Sequence, residues 1–555
     1  MEIVKGEAQF KKALQLIGAA RTVYFDTETT GLKPFKGDRL CGVGVGISLD
    51  QCWYFPFRHE GEFYEGGNFS IEELKELITV LGKVPVLVGF NMKFDLEILY
   101  QDGYWPVEEQ QLVDVIIMSR LCVPEPHPLG GLKLETMEER FLGPGEGAYN
   151  GKLVDWLKAH KLWKSKKEAY YHQAPIEVLG LYCCKDVLGT MRLKRVLQQE
   201  IADTEQVKVW QTEVYTTKVW FEMEVRGTHT DRQYCEEAIA KVDVRAEEIE
   251  KELFTLVGKP FNINSSDQIT LALNGVGIYS PVKTDGGKKG VKKQSWGKEA
   301  LAAMGGDAAH PAIKLIREFK SWGTLKGTYL EVFRDAGEAL HCTFKPWGAV
   351  TGRISCTDPN LQNVPRVARG TAEQGDAVMQ HQGLLTSLVG EEVATRFTVV
   401  DVSYDVGEWD EQDGKMVAAR RALIPRSGYE LLVFDYKQME MLVFLCYTGN
   451  KALLKRVEEG YLRGEPIDFH DIVAEEVWGG LDSPEFKAFR QLAKGLNFGL
   501  IFGMGDKSLA VVLKTTVERT AEYRQQYFDR MPGSREFIDR VSQTAESRGY
   551  VSNFF

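Results

Sequence analysis

What this 555-residue chain lacks narrows its possibilities. None of its nine cysteines forms a CxxC pair, and the adjacent Cys183 and Cys184 suit neither a zinc site nor a disulfide framework. A reducing, cytoplasmic compartment is expected. The N-terminus, MEIVKGEAQFKKAL, has no apolar signal core, so secretion is not expected. No apolar run approaches the length of a membrane span. There are no internal repeats. Excess positive charge is also missing. The net charge of −11 argues against a surface that binds nucleic acid all over, though not against a local basic channel. What remains, 44% hydrophobic and 26% charged residues, is the composition of a globular protein of roughly three to four domains.

Strand-like runs at 22–26 (TVYFD), 40–49 (LCGVGVGISL), WYFPF and VPVLVGF alternate with a helical pattern at 71–81 (IEELKELITVL). This predicts an α/β domain over about the first 200 residues. From about 205 to 340, charged helices dominate. The Gly/Lys-rich stretch 284–298 reads as a solvated basic loop. Residues 341–366 and 420–447 read as strands and turns, and the chain is helical again from 451. Residues 367–419 carry ten acids against three bases and read as an insertion, with RFTVVDVSYDV alternating like a strand.

In YFDTETTGL, Asp26 and Glu28 are expected at a strand end, and residues two apart on a strand share a face. Two such carboxylates can share a hard divalent cation such as Mg²⁺. Alone, the pair reads equally well as a solvated turn. Two further segments change the weighing. VGFNMKFDLEIL places Asp95 near a helix start, and LGLYCCKDVLGTMRL places Tyr182 and Asp186 four apart on one helix face. Four acids and a phenol on three segments are what a two-metal phosphodiesterase needs: cations about 3.5–4 Å apart activate a water and stabilise the leaving oxygen. A tyrosine hydroxyl can orient the water.

A second group follows. GAVTGRISCTDPNLQNVPR (348–366) reads as a loop laid along a ligand, with Arg353, Gln362 and Asn363 offering hydrogen bonds to base edges and sugar. YELLVFDYKQMEMLVFL (429–445) delivers Asp435 at the end of an apolar strand, with Glu440 in the first turns of a helix, and DFHDIVAEEVWG holds His470 near another helix start. In FRQLAKGLNFGLIFGMG (489–505), Arg490, Lys494, Phe498 and Phe502 form one helical stripe. Two cations followed by two rings suit a nucleoside triphosphate. Gly495 and Gly499 each cost ~1 kcal/mol against Ala in a helix, so something must approach the backbone there.

DxE, N-x-x-F-D and Y-x-x-x-D, in this order, resemble the three motifs of the DEDD proofreading exonucleases, of the subclass marked by Tyr. TGRIS…PNLQNVP, FDYKQMEM and the helix from Arg490 resemble the template-primer loop, motif A and motif B of the family A DNA polymerases, the group of bacterial repair polymerases and many phage replicases. EMEVRGTHTD and FNINSSDQI resemble the start of their thumb. The resemblance covers nearly the whole chain outside 367–419.

It implies an exonuclease domain with a ribonuclease H-like mixed sheet (1–204), a mostly helical thumb (205–340), a partial α+β palm interrupted by the insertion (341–450), and incomplete fingers (451–555). It implies two Mg²⁺ ions per active site, with Mn²⁺ as an alternative. Asp26, Glu28 and Asp186 would hold the first exonuclease metal and Asp26 with Asp95 the second, Tyr182 would position the water, and Leu32 and Asn91 would meet the frayed strand. In the polymerase module, Asp435 and the Tyr436 carbonyl would hold metal and Glu440 would be the gate against ribonucleotides. Arg490, Lys494 and His470 would bind the triphosphate, Lys494 also serving as general acid. Phe498 and Phe502 would lie beside the nucleotide, and Arg353, Gln362, Asn363 and Gln438 along primer-template.

The implied partners are primer-template, single-stranded DNA 3′ ends and dNTPs, in the cytoplasm of a bacterial or phage-infected cell. Lys437, Phe502 and Phe489 depart modestly from the family pattern. The larger departure is that no His-Asp-Glu triplet, the family's motif C, follows Asp435. The expectation is therefore a fragment, a palm completed by a second polypeptide, or a chain that keeps only the exonuclease. A non-catalytic DNA-binding accessory is the rival from another class.

Overall fold

The computed structural model describes residues 1–123, 131–165, 168–284, 292–305, 309–346, 348–349, 352–365, 397–399, 417–432, 434–436, 438–463, 468–479 and 485–548. These form two compact units: residues 1–367 with 416–427, and residues 368–415 with 428–555.

The first unit opens with β1 (Glu2–Ile3), α1 (Glu7–Ala19), β2 (Thr22–Thr29), β3 (Leu40–Ser48), β4 (Gln51–Pro56), α2 (Ile71–Leu81), β5 (Val86–Gly89), α3 (Met92–Tyr100) and β6 (Gln111–Asp114). The strands form a six-stranded sheet in the order β1-β4-β3-β2-β5-β6. β2 pairs antiparallel with β3 and parallel with β5, so the sheet is mixed. The helix read at 71–81 forms over those residues. Ser70 and Glu73 close a capping box at its start, and Leu74, Leu77, Ile78 and Leu81 bury one face.

β2 is longer than the sequence suggested. Pairing continues past Asp26, with Thr27 opposite Val43 and Thr29 opposite Leu40, and the register shifts between Glu28 and Thr29. Both acids thus lie within the strand rather than at its end. Cross-strand pairing of the β-branched Thr27 and Thr29, invisible in the local run of letters, carries the strand onward.

Helices α4 (Val115–Cys122), α5 (Leu134–Phe141) and α6 (Tyr149–Ala159), with the short strands β7 (Trp163–Ser165) and β8 (Glu168–Ala169), lead to the 28-residue α7 (Ile176–Asp203). α7 lies across β2, β3 and β4. α8 (Val207–Arg226) follows. The boundary is expected at 204/205, and α8, which lies beyond it, packs back onto the elements of the sheet. Phe221 and Val225 of α8 belong to the same buried cluster as Phe25, Val43 and Leu96. α8 packs chiefly on β6, α3 and α4.

After β9 (His229–Thr230), α9 (Arg232–Val257) packs on α12 (Pro311–Leu325), with α10 (Ser266–Asn274) and α11 (Lys298–Ala303) between them in sequence. Arg245 ties the two long helices through Glu318 at 2.9 Å. A π-helical turn leads into α13 (Glu331–Arg334). β10 (Thr343–Lys345) pairs with β11 (Ser355–Thr357). Residues 341–365, expected in the palm, fall in this first unit. In the loop read at 284–298, residues 285–291 lie outside the described set, and Lys293 pairs with Asp267 at 2.9 Å.

In the second unit, β12 (Phe397–Val399) pairs antiparallel with β14 (Phe434–Tyr436), Thr398 standing opposite Asp435. The insertion therefore lends a strand to the one that carries Asp435. β13 (Leu423–Ile424) returns to β9 in the first unit. Helices α14 (Met439–Thr448), α15 (Lys451–Leu462), α16 (Phe469–Trp478), α17 (Phe486–Ile501), α18 (Asp506–Leu513), α19 (Val517–Arg530) and α20 (Ser534–Arg548) complete the second unit. Among the described residues no helix is long and apolar enough to cross a membrane.

Phe221 is fully buried against Tyr100, Tyr104 and Trp105. Phe221→Ala is expected to cost about 3–5 kcal/mol. The cost should appear as an earlier denaturant transition of the unit holding the sheet.

Candidate active site

β2 turns Asp26 and Glu28 toward α7. Their ligating atoms and the Cys183 Sγ of α7 all lie within 4.8 Å of one another. The Cys183 thiol donates toward the Asp26 carboxylate at 3.5 Å. Asp95, in the first turn of α3, is held against β2 by Thr27, the residue between the two acids. The Thr27 amide and hydroxyl donate to Asp95 Oδ1 at 3.1 and 2.5 Å.

Behind it, Asp114 at the end of β6 caps α3, accepting from the amides of Asn91 at 2.7 Å and Met92 at 3.1 Å. This cap holds Asn91 in the left-handed region, φ 57°, with its side chain exposed. Tyr182 and Asp186 lie on α7 four residues apart, as the sequence placed them. A second phenol, Tyr149 of α6, donates to Asp186 Oδ1 at 2.7 Å. Leu32, on the loop after β2, is half exposed.

The four carboxylates feel one another's charge. Burial pushes Asp26 and Glu28 well above the usual carboxylate range, and both Asp95 and Asp186 add repulsion to each of them. Burial likewise lifts Asp95 and Asp186 to about 7, against the hydrogen bonds that favour their charged forms. Glu28 Oε1 is buried without a hydrogen-bond partner. A buried, unpartnered oxygen among mutually repelling carboxylates fits a hard divalent cation.

Sequence reading missed Thr27, Asp114, Tyr149, Glu138 and Cys183. Thr27 was visible between the two acids, and Asp114 ends the short run QLVD. Tyr149 and Glu138 carried no local signal, because only the packing of α5 and α6 on α7 brings them in.

In the second unit, Arg490 on α17 reaches Asp468 at 2.5 Å and Asp471 at 2.6 Å. Asp468 also caps α16 through the His470 amide and accepts from Gln438 Nε2 at 2.7 Å, while Gln438 Oε1 accepts from the Phe469 amide. Gln438, expected along primer-template, thus has both ends of its amide engaged with the start of α16. His470 is buried, with its ring 3.0 Å from Asn497 Nδ2 and beside Phe498.

Lys494 is exposed, and Phe498 and Phe502 are partly exposed with their rings parallel. α17 ends at Ile501, so Phe502 stands just past it. What approaches Gly495 and Gly499 is α18. A Cβ at either glycine would lie 2.5 Å from Leu513 or Leu509 respectively. The two glycines therefore need no ligand to explain them.

Glu440 is half buried in the first turn of α14. The side chains of Asp435 and Tyr436 lie outside the described residues. In the first unit, Arg353 is exposed, Gln362 Nε2 donates to the Ile354 carbonyl at 3.1 Å, and the Asn363 carbonyl accepts from Tyr329 at 2.7 Å.

Two family models match this chain. A family model for DNA polymerase family A matches residues 232–555, and one for a 3′-5′ exonuclease matches residues 1–202. DNA polymerase I of Borreliella burgdorferi is 23% identical over 543 residues, covering 97% of this chain and 51% of the relative. That of Chloroflexus aurantiacus is 24% identical over 553 residues, covering 96% and 50%. The chain spans about half the length of these curated relatives. The POL domain of Pol1 from M. smegmatis, in complex with DNA primer-template and dNTP, has a similar fold. Its TM-score is 0.67 at 19% identity, covering 100% of this chain and 80% of that one.

The four raised carboxylates set a pH dependence. Their folded pKa lies above the unfolded value near 4, so metal-free stability is fully present below that value and is lost as pH rises through about 7. Mg²⁺ should counter this loss. The melting temperature in EDTA should fall between pH 5 and pH 8, and added Mg²⁺ should raise it more at pH 8 than at pH 5.

Proposed function

Because this chain belongs to DNA polymerase family A, we propose that its first domain removes nucleotides from DNA 3′ ends and that its second unit supplies nucleotide contacts for primer extension. The convergence of Asp26, Glu28, Asp95 and Asp186 around a buried, unpartnered Glu28 oxygen carries the first half of this reading. Asp26, Glu28 and Asp186 would hold one divalent cation, and Asp26 with Asp95 the other. Two Mg²⁺ ions, when bound, supply an activated water and charge stabilisation at the leaving oxygen.

The remaining work falls to the protein. Thr27 and Asp114 keep α3, and with it Asp95, docked on β2. Tyr182 orients the attacking water. Leu32 and Asn91, exposed on the two loops that flank the acids, meet the terminal base and the frayed strand.

In the second unit, Arg490, Lys494 and His470 bind the triphosphate. Asp468 and Asp471 hold Arg490 until phosphate oxygens compete for its guanidinium. Phe498 and Phe502 lie beside base and sugar, and Glu440 excludes ribonucleotides. Asp435 and the Tyr436 carbonyl hold metal, Lys494 protonates pyrophosphate, and Arg353, Gln362, Asn363 and Gln438 line primer-template. Asp435 needs a partner acid, and no His-Asp-Glu triplet follows it in these 555 residues. Extension is therefore proposed for an assembly in which that acid is present.

Incubation with labelled primer-template, Mg²⁺ and dNTPs tests both halves. Shortening from the 3′ end is expected. Asp26→Ala combined with Glu28→Ala should slow it by on the order of 1,000-fold, the loss of several kcal/mol of transition-state stabilisation. Shortening that survives the double substitution would place the nuclease elsewhere. Extension by the chain alone would show that Asp435 needs no further acid.

A further inference from the structure

Tyr149 and Glu138 belong to none of the three exonuclease motifs, yet they close on the third. Tyr149 begins α6, where its hydroxyl lies 2.7 Å from Asp186 Oδ1 and 3.0 Å from Glu138 Oε2. Its ring stands 6.0 Å from the ring of Tyr182. It therefore touches both side chains of the Tyr182–Asp186 pair. Glu138, on α5, is fully buried.

Room for that buried carboxyl is made by Gly189, one turn beyond Asp186 on α7. A Cβ at Gly189 would overlap Glu138 Oε1. A glycine inside a helix costs ~1 kcal/mol against Ala, so the helix gives up stability where Glu138 enters. Arg192, a further turn along, sits 3.9 Å from Glu138 and 2.8 Å from Glu146. Tyr149 thus links Asp186 of α7 to the buried Glu138 of α5.

A hydroxyl carries one hydrogen and two lone pairs. That single hydrogen serves Asp186 or Glu138 at any one time; with Asp186 as acceptor, a protonated Glu138 can donate to the same phenol oxygen. The phenol is then held from both sides, and Asp186 loses the freedom to rotate away from its neighbours. We infer that Tyr149, braced by Glu138 in the space cleared by Gly189, is a positioning residue that sets the orientation of the Asp186 carboxylate for divalent-cation binding. The inference rests on the exonuclease reading above.

Mn²⁺ binding to the full chain, measured by electron paramagnetic resonance without DNA, tests it at the sites that Asp26→Ala abolishes. Partners behind a metal ligand are typically worth 10–100-fold in affinity or activity. Tyr149→Phe, which keeps the ring and removes one oxygen, should weaken those sites about tenfold, with an unchanged melting temperature in EDTA. Glu138→Leu should weaken them in the same direction. Glu138→Gln, which can still hydrogen-bond Tyr149, should weaken them several-fold less than Glu138→Leu, and this comparison stands even if Tyr149→Phe folds poorly.

Unchanged Mn²⁺ affinity in Tyr149→Phe overturns the inference and leaves the exonuclease reading intact. Equal weakening by Glu138→Gln and Glu138→Leu also overturns it, since charge rather than the hydrogen bond would then be at work. If Asp26→Ala removes no Mn²⁺ site from the chain, the exonuclease reading falls and this inference with it.

Discussion

Four buried carboxylates that repel one another are held near each other, and the first domain is built around that repulsion. Asp26 and Glu28 are on a central strand, Asp95 on a helix capped by Asp114, and Asp186 on a helix that crosses three strands. None of these positions can relax without disturbing the sheet. Burial and mutual repulsion raise the protonation of all four. A cation that neutralises them recovers what the fold gives up in holding them close. The strain is local, and the apolar clusters on both faces of the sheet hold it in place.

Rigidity around the acids comes from polar groups with named partners. Thr27 fastens Asp95 to the strand that bears Asp26 and Glu28, Asp114 fixes the helix start, and Tyr149 holds Asp186. Each is a hydrogen bond in a buried region of low dielectric, where a bond is stronger and an orphan more costly. Glu28 Oε1 is left outside this scheme, buried without a hydrogen-bond partner.

The second unit is organised about a different node. Asp468 joins Gln438, the His470 amide and Arg490, and so links the start of α14, the cap of α16 and the cationic stripe of α17. Arg490 held by two acids is a cation pre-aimed but occupied. Gly495 and Gly499 let α18 seat closely against α17. The cost they impose on the helix is recovered in packing, within a cluster that includes Leu496, Leu500, Leu509 and Leu513.

The letters alone determined a good deal. The helix at 71–81, the spacing of Tyr182 and Asp186, the face shared by Asp26 and Glu28 and the stripe from Arg490 to Phe498 are periodic signals, and periodicity is local. Motif order carried the family. The length of β2, the packing of α8 on the sheet and the reason for two helical glycines were not legible, because each depends on a partner distant in sequence. Val43 opposite Thr27, α3 and β6 beneath Phe221, and Leu509 against Gly499 are such partners. So are Tyr149 and Glu138, which become visible only when α5 and α6 fold onto α7. Sequence specifies which side chains can do chemistry and which face of an element they share. Only the tertiary structure decides which faces meet, since that choice rests on shape and burial summed over residues that are far apart in the chain.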